Sequence, residues 1–534
     1  MNRVLRAGHG LLAKWSAAGA ARSVVAGCLA AALFVGGAQA GETLQKYVQH
    51  CAQCHGVDRL GGMGPALLPE NLARLRKKDA IQAIRDGLAA TQMPAFGETL
   101  KAEEIAAIAD LIYTPIVPAP KWTEADIRAS RIQHVDPATL SDKPVFDADP
   151  LNLFLVVETG DHHVSVLDGD KLERIHRFQS RFALHGGPKF AAGGRYVFFG
   201  SRDGWVTKYD LWNLKVVAEV RAGINTRNVA ASPDGKYVAV ANYLPHTLVL
   251  LDGDLNLLKS LDVVDQEGNR SSRVSAVYEA TPRNSFVAAL KDVPEVWEIS
   301  FDPKAEDIPT GFVHDYKLRE GNFIPGYLNP RRTKLDVVLD DFFFTQDYSL
   351  LMGASRDGIG QVVSLDARRR IAELPLEGMP HLGSGITFDW KGRRVMASTN
   401  LQAAEVTVID MKDFSVVKRI PTRGPGFFLR SHENSRYAFV DSMMSPEFKN
   451  HLQVIDKETL EIVKELKAPP GQTLAHIEFT RDGRHALASL WEYEGAIVVF
   501  DAQTLEEVKR LPARKPVGKY NVWNKITREE GTSH

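Results

Sequence analysis

The stretch Val408-Ile409-Asp410-Met411, followed by Phe414-Ser415-Val416-Val417-Lys418-Arg419-Ile420, reads as a strand that stops on an aspartate, a short turn and a second strand. The same unit recurs at Val166-Leu167-Asp168, Lys208-Tyr209-Asp210, Leu250-Leu251-Asp252, Ser300-Phe301-Asp302, Ser364-Leu365-Asp366, Val454-Ile455-Asp456 and Val499-Phe500-Asp501. The eight aspartates are separated by 42, 42, 50, 64, 44, 46 and 45 residues. Tight turns interleave with them: Ala192-Gly193-Gly194-Arg195, Pro233-Asp234-Gly235-Lys236 and Arg481-Asp482-Gly483-Arg484. A period of about 40–50 residues built only of strands and turns is the signature of a β-propeller, whereas a β-sandwich needs no such period. Eight units predict eight blades over residues 146–534, around an axial channel wide enough for a tetrapyrrole.

Ahead of the repeat lies Cys51-Ala52-Gln53-Cys54-His55, the attachment pattern of a c-type haem. Two thiols must reach the two vinyl positions while the adjacent imidazole turns to the iron. Only a short helical turn places all three together. A second axial ligand is expected in Gln92-Met93-Pro94, with Met63 as the rival thioether. The patterns around Glu42–His50 and Ala102–Tyr113 predict flanking helices. Residues 41–115 therefore read as an all-α cytochrome c domain with one covalent haem c, bound by Cys51, Cys54, His55 and Met93. Thr114-Pro115-Ile116-Val117-Pro118-Ala119-Pro120 opens a proline-rich linker over 116–145, with a short helix expected after residue 121.

The first forty residues read as an export signal. Arg3, Arg6, Lys14 and Arg22 come with no acid, an apolar run spans 24–35, and Ala38-Gln39-Ala40 is an A-x-A cleavage site. Val25-Ala26-Gly27-Cys28 is a competing lipoprotein-like box. Export implies the periplasm. Of three cysteines, cleavage leaves Cys51 and Cys54, which excludes a disulfide framework. The chain of 534 residues is 44% hydrophobic and 25% charged, with a formal net charge of −1, so nothing points to nucleic acid. The propeller region has no Walker loop and no Rossmann glycine pattern. It has histidines in turns: His185, His381, His432 and His476. Several stand just before a repeated strand, the channel-facing position in a blade.

A cytochrome c module followed by an eight-bladed propeller resembles the haem d1 proteins. That family includes cytochrome cd1 nitrite reductase and biosynthetic members with or without a fused cytochrome c, NirF being one without it. The resemblance rests on Leu184-His185, Gly194-Arg195-Tyr196, Arg202-Asp203, Asp210-Leu211-Trp212, Gly223-Ile224-Asn225-Thr226-Arg227 and the ending Gly518-Lys519-Tyr520-Asn521-Val522-Trp523-Asn524. It implies that His185 is the proximal ligand of a haem d1 iron. It also implies that Arg227, and more weakly Arg202 and Arg423, hold the macrocycle's carboxylates, with Tyr243 on a matching turn. The reductase uses two distal histidines. His381 matches one, but Leu339-Asp340-Asp341-Phe342-Phe343-Phe344 stands where the other should be. The site needs both proton donors to handle nitrite.

That departure points to the biosynthetic branch, and the fused cytochrome c to its dehydrogenase. The activity implied is oxidation of a propionate of the haem d1 precursor (dihydro-haem d1) to an acrylate, with electrons leaving through the c-haem. The expected catalytic base is His432 or His476, with His381 third, and Asp340 or Asp341 orienting an imidazole. The partners implied are the haem d1 precursor, a small electron-acceptor protein, and hand-over involving a cytochrome cd1 nitrite reductase and a NirF-like protein. Two readings stay open beside it: a nitrite reductase with an altered distal pocket, and a non-enzymatic haem d1 carrier.

Overall fold

The computed structural model describes residues 41–62, 64–73, 75–88, 93–311 and 321–527. The export signal, Met63 and Gln92 lie outside them. Residues 41–50, Ala52–His55, Pro69–Leu72, Lys77–Asp86 and Ala102–Ile112 are helical. Their apolar faces meet in one cluster around Tyr47, Leu72, Ile84, Ile105 and Ile108. The linker contributes a helix at Glu124–Ser130, capped by Thr123, and then a short strand, Ile132–Gln133. That strand adds to the outer edge of the first propeller sheet, opposite Ala218 and Glu219. Among the described residues no helix is long and apolar enough to cross a membrane.

The remainder forms eight antiparallel blades. In chain order their innermost strands are Lys189–Ala191, Asn225–Ala231, Val274–Ala280, Asp341–Phe344, Pro380–Trp390, Leu429–Ser431, Leu474–Phe479 and Pro516–Asn521. The eighth blade is composite. Pro516–Asn521 pairs with Leu153–Glu158, Phe154 opposite Asn521, so the last strand of the chain completes the sheet begun by the first. The 64-residue spacing has a local cause. A two-stranded excursion, Ile308–Pro309 with Phe323–Ile324, is inserted between the third and fourth strands of blade 3.

The repeated aspartate ends the third strand of each blade or lies just past it. Its carboxylate accepts main-chain N–H groups of the turn that follows, as Asp410 does from Lys412, Asp456 from Glu458 and Thr459, and Asp501 from Gln503 and Thr504. An Asx turn of this kind costs no extra residues and starts the fourth strand at a set distance. Blade 4 departs from the rule. There Ser364 accepts from Ala367, and Asp366 pairs with Arg283 of blade 3 instead.

The inner strands of each blade are largely buried because each sheet is covered on both sides there, whereas fourth strands such as Arg369–Leu374 and Glu507–Ala513 are charged and largely exposed. Eight buried clusters each join two successive blades. One sits between blades 4 and 5 around Phe343, Met352, Leu382 and Met396, and one between blades 8 and 1 around Leu155, Val166, Phe199 and Tyr209. The ring is therefore closed by packing as well as by hydrogen bonds. Phe342, Phe343 and Phe344 are all fully buried in such clusters, as blade packing rather than as a channel surface. Truncating Phe343 to alanine should lower stability by about 3–5 kcal/mol. The shift of the urea midpoint measures it, and a value within error of wild type contradicts the interblade assignment.

Candidate active site

In the helical domain the Tyr47 hydroxyl donates to the Gly56 carbonyl at 2.7 Å and pins the end of the Cys51–His55 turn. His55 Nδ1 lies 2.8 Å from the Pro65 carbonyl. A carbonyl only accepts, so Nδ1 carries the proton and Nε2 keeps its lone pair, the tautomer an iron ligand needs. Gly64 makes this approach possible, since a Cβ there would stand 2.8 Å from the imidazole ring. Burial, with Cys54 adding to it, pushes the Cys51 thiol up to about 11. Met93 and Cys51 pack into the same apolar cluster. Two thiols, an Nε2 lone pair and a thioether are the donor set of a c-type haem, and these residues fit one.

In the propeller, His185 extends the inner edge of blade 1, its N–H donating to the Gly200 carbonyl at 3.0 Å. Gly186 and Gly187 follow with φ of +81° and +69°. Side chains there would meet Asn228 and the Tyr520 ring, so the glycines let this turn lie flat against blades 2 and 8. His185 Nδ1 is 2.6 Å from the Arg227 carbonyl and is therefore the donor. Its Nε2 lone pair faces two guanidiniums, Arg202 at 2.8 Å and Arg227 at 2.7 Å. Arg227 is itself fixed by Nε donating to the Ser275 carbonyl at 3.1 Å. An imidazole nitrogen flanked by two forked cations suits an iron macrocycle that carries carboxylates.

A second group gathers where the inner strands of blades 4 to 8 begin. His381 Nδ1 donates to the Phe427 carbonyl at 2.9 Å, and its Nε2 lies 3.8 Å from the Asp341 carboxylate. That carboxylate also accepts from the Tyr278 hydroxyl at 2.8 Å and from the Gly383 N–H at 3.1 Å. The Phe427 and Phe428 rings touch His381 and His476, with centroids 4.1 Å and 4.5 Å apart. Asp441 lies beneath this pair and accepts both of their N–H groups. Burial pushes its carboxyl up to about 6, against the pull of those amides. His476 sits at a bulge with φ of +51°, its carbonyl held by the Lys519 ammonium, which also donates to Ser489 at 2.9 Å. Its ring meets Tyr520 at 5.1 Å.

Burial holds both imidazoles below their usual pKa. For His381 the Asp341 carboxylate opposes the effect, and for His476 the Lys519 and Arg430 cations reinforce it. Both are neutral near pH 7. Lys525, on the C-terminal Val522–Thr527 helix, is brought down to about 7 by burial and by Arg430, with Glu478 opposing.

The structure thus brings together His185, Arg202, Arg227 and, in the second group, His381 and His476. Two of the expected residues stand apart from these groups. His432 follows the last residue of its inner strand, at the opposite end from where His381 and His476 enter. Its Nδ1 accepts from the Asn434 N–H at 3.1 Å and its ring packs on Phe479 and Gly483. Arg423 points to the outer edge of blade 6, where its Nε pairs with Glu465 at 2.6 Å and the side chain is half exposed. Tyr243 stands on the second strand of blade 2, with the Arg273 guanidinium 5.4 Å over its ring. Asp341 is buried beside His381, whereas Asp340 pairs with Lys291 and Arg356. Tyr278, Phe427, Phe428, Asp441 and Arg430 were not anticipated. Lys519 and Tyr520 lie in the C-terminal segment that carried the family resemblance, and their position there was the available signal.

Two spectroscopic outcomes follow. Replacing Met93 by alanine should abolish a thioether-to-iron charge-transfer band of the c-haem, and its persistence would move the ligand elsewhere. His185→Ala should change the ligand-field spectrum of the bound macrocycle while leaving the c-haem spectrum intact. An unchanged macrocycle spectrum removes His185 from the iron.

Comparison with known proteins agrees with this geometry. Residues 148–525 match the cytochrome D1 heme domain, and residues 38–112 match the family described as cytochrome C oxidase, cbb3-type, subunit III. The chain is 51% identical to the dihydro-heme d1 dehydrogenase of Pseudomonas aeruginosa, over 95% of this chain and 98% of that protein. It is 30% identical to the protein NirF of Stutzerimonas stutzeri over 69% of this chain and 90% of that one, and 25% identical to the nitrite reductase of the same organism over 90% and 92%. A solved structure of dihydro-heme d1 dehydrogenase NirN in complex with DHE superposes with a TM-score of 0.84, covering 90% of this chain and 99% of that one. A c-type cytochrome domain joined to a d1-haem propeller, with this identity over nearly the full length, places the chain in the dihydro-haem d1 dehydrogenase family.

Proposed function

We propose that this protein is a periplasmic dihydro-haem d1 dehydrogenase: it converts one propionate of the haem d1 precursor to an acrylate. The observation that carries the reading is the pairing, at one channel, of an iron-ligating tautomer at His185 with a separate group of neutral imidazoles, on a chain that also holds a c-haem donor set. The change is –CH2–CH2–COO⁻ to –CH=CH–COO⁻, with loss of two protons and two electrons.

His185 orients the substrate by its iron. Arg202 and Arg227 meet carboxylates on its rim. His476 is the preferred base. It is buried, neutral, and held in a left-handed backbone conformation that Lys519 secures from below. His381 is a second acceptor, with Asp341 and Tyr278 setting its orientation. The aromatic walls Phe427, Phe428 and Tyr520 exclude water from the reacting carbons. Cys51, Cys54, His55 and Met93 would hold a c-haem, which would supply a one-electron outlet toward a small acceptor protein. The product then passes to a cytochrome cd1 nitrite reductase, with a NirF-like protein as a further partner in hand-over.

The decisive experiment loads the purified holoprotein with the precursor and an electron acceptor, then weighs the macrocycle. Loss of two hydrogens is expected. An unchanged mass points to a carrier, and nitric oxide formed from nitrite to a reductase. His476→Ala should lower the rate by about 10²- to 10⁴-fold. Because burial depresses the His476 pKa, the imidazole stays a competent base until the pH falls well below 6.5. The acid limb of kcat/KM due to this group should therefore lie below 6.5. A limb centred at 6.5 that His476→Ala leaves in place assigns the base to another residue.

A further inference from the structure

The cytochrome c domain is not merely tethered to the propeller. Its 60–72 segment lies against the start of blade 2. Leu60, Ala66 and Leu68 pack with Ile224, Leu244 and Trp122, and Asn71 donates to the Ile224 carbonyl at 3.3 Å. Asn225 donates back to the Glu70 carbonyl at 3.2 Å. At the centre of this contact is Arg221, the last residue of blade 1, only 6% exposed. Its Nη2 donates to the Leu60 carbonyl, five residues after the haem-ligating His55. Its Nε donates to the Asp203 carbonyl at 2.9 Å, next to Arg202, whose guanidinium touches His185 Nε2. The guanidinium plane lies 4.7 Å over the Trp122 ring of the linker, and the Trp122 indole and Ser130 hydroxyl both donate to the Arg221 carbonyl. Burial brings its pKa down, and the carboxylates of Asp203 on the propeller and Asp58 on the cytochrome domain oppose that effect. Around it, Thr226 N–H donates to the Arg202 carbonyl, so the interface segment and the His185 pocket are one hydrogen-bonded unit.

A buried cation is retained only where several acceptors surround it, and a planar fork that meets three elements at once fixes their relative position. We infer that Arg221 is the positioning residue that locks the cytochrome c domain onto the wall of the d1 channel, and that its contacts with Leu60 and Asp203 set the electron path between the two haem sites. The inference rests on the reading that electrons leave the channel through the c-haem. It also predicts a transfer that does not require dehydrogenation.

The test uses the full-length holoprotein, with c-haem attached and an oxidised iron tetrapyrrole loaded in the propeller. The c-haem is reduced by a light pulse, and electron arrival at the second haem is followed optically. Arg221→Met keeps the length of the side chain and its packing on Trp122 but removes both donors. It should slow interhaem equilibration by about tenfold or more, as expected when relative position is lost. Amide hydrogen exchange at 60–72 should accelerate in the same variant, whereas the c-haem potential and thioether band stay at wild-type values. Arg221→Lys, which reaches one carbonyl at a time, should shift both readouts in the same direction and by less, and it serves as the test if the methionine variant fails to fold. Wild-type transfer rates and exchange in these variants overturn the inference. So does a slowed transfer accompanied by a shifted c-haem potential, which would place the defect inside the cytochrome domain. If the wild type transfers electrons between the haems but never changes the mass of the precursor, the dehydrogenase reading fails and this one stands.

Discussion

Closure of the ring is the constraint on which everything else depends. Phe154 pairs with Asn521 and Val156 with Lys519, so the first and last strands of the propeller share one sheet. Eight apolar clusters, each shared by two neighbouring blades, then pack every blade against the next. A closed ring forces all eight inner strands to start at the same end of one axis. Residues separated by more than 300 positions, such as Gly187 and Tyr520, are thereby brought to one place. No local preference of the chain could do this.

The axis is also where the fold buries a cluster of charged groups. Lys519, Arg430, Glu478, Asp441 and Asp341 are all buried there or beside it, with Lys525 partly buried next to Glu478. Burial disfavours charge, so histidines and lysines shift down and the Asp441 carboxyl shifts up. Such groups are tolerated because each is tied to main chain or to a neighbour. Asp441 accepts the amides that shape the Phe427–Phe428 wall, and Lys519 holds the His476 carbonyl. The result suits a ligand that brings its own charges.

Parts of the site were legible in the chain because their chemistry is local. Cys51, Cys54 and His55 fit one turn of helix, and the Pro65 carbonyl that selects the His55 tautomer is ten residues away. Seven of the eight aspartates mark their blade by closing their own turn with their own carboxylate, and in blade 4 Ser364 does so in place of Asp366. His185, Arg202 and Arg227 were found by family likeness, and they meet within hydrogen-bond distance. His432 and Arg423 went the other way for one reason. Periodicity locates a strand, but it does not say at which end of the strand the channel site lies or which edge of the blade faces outward. His432 stands at the far end of an inner strand, and Arg423 turns toward Glu465 on the fourth strand of its blade. Tyr278, Asp441 and Arg430 carried no motif at all: Tyr278 reaches Asp341 on the next blade, and Asp441 holds the Phe427 and Phe428 amides 14 and 13 residues away on its own blade.

The amino-acid sequence by itself determined the two-part architecture, the number of blades, the c-haem attachment and the family. Each of these rests on spacing within a few residues or on a period repeated eight times. The tertiary structure decided which histidines lie near one another, which cations surround His185, and where Arg221 touches the cytochrome domain. Those are distances between side chains on different blades and different domains. Only ring closure and the packing of one blade against the next set them.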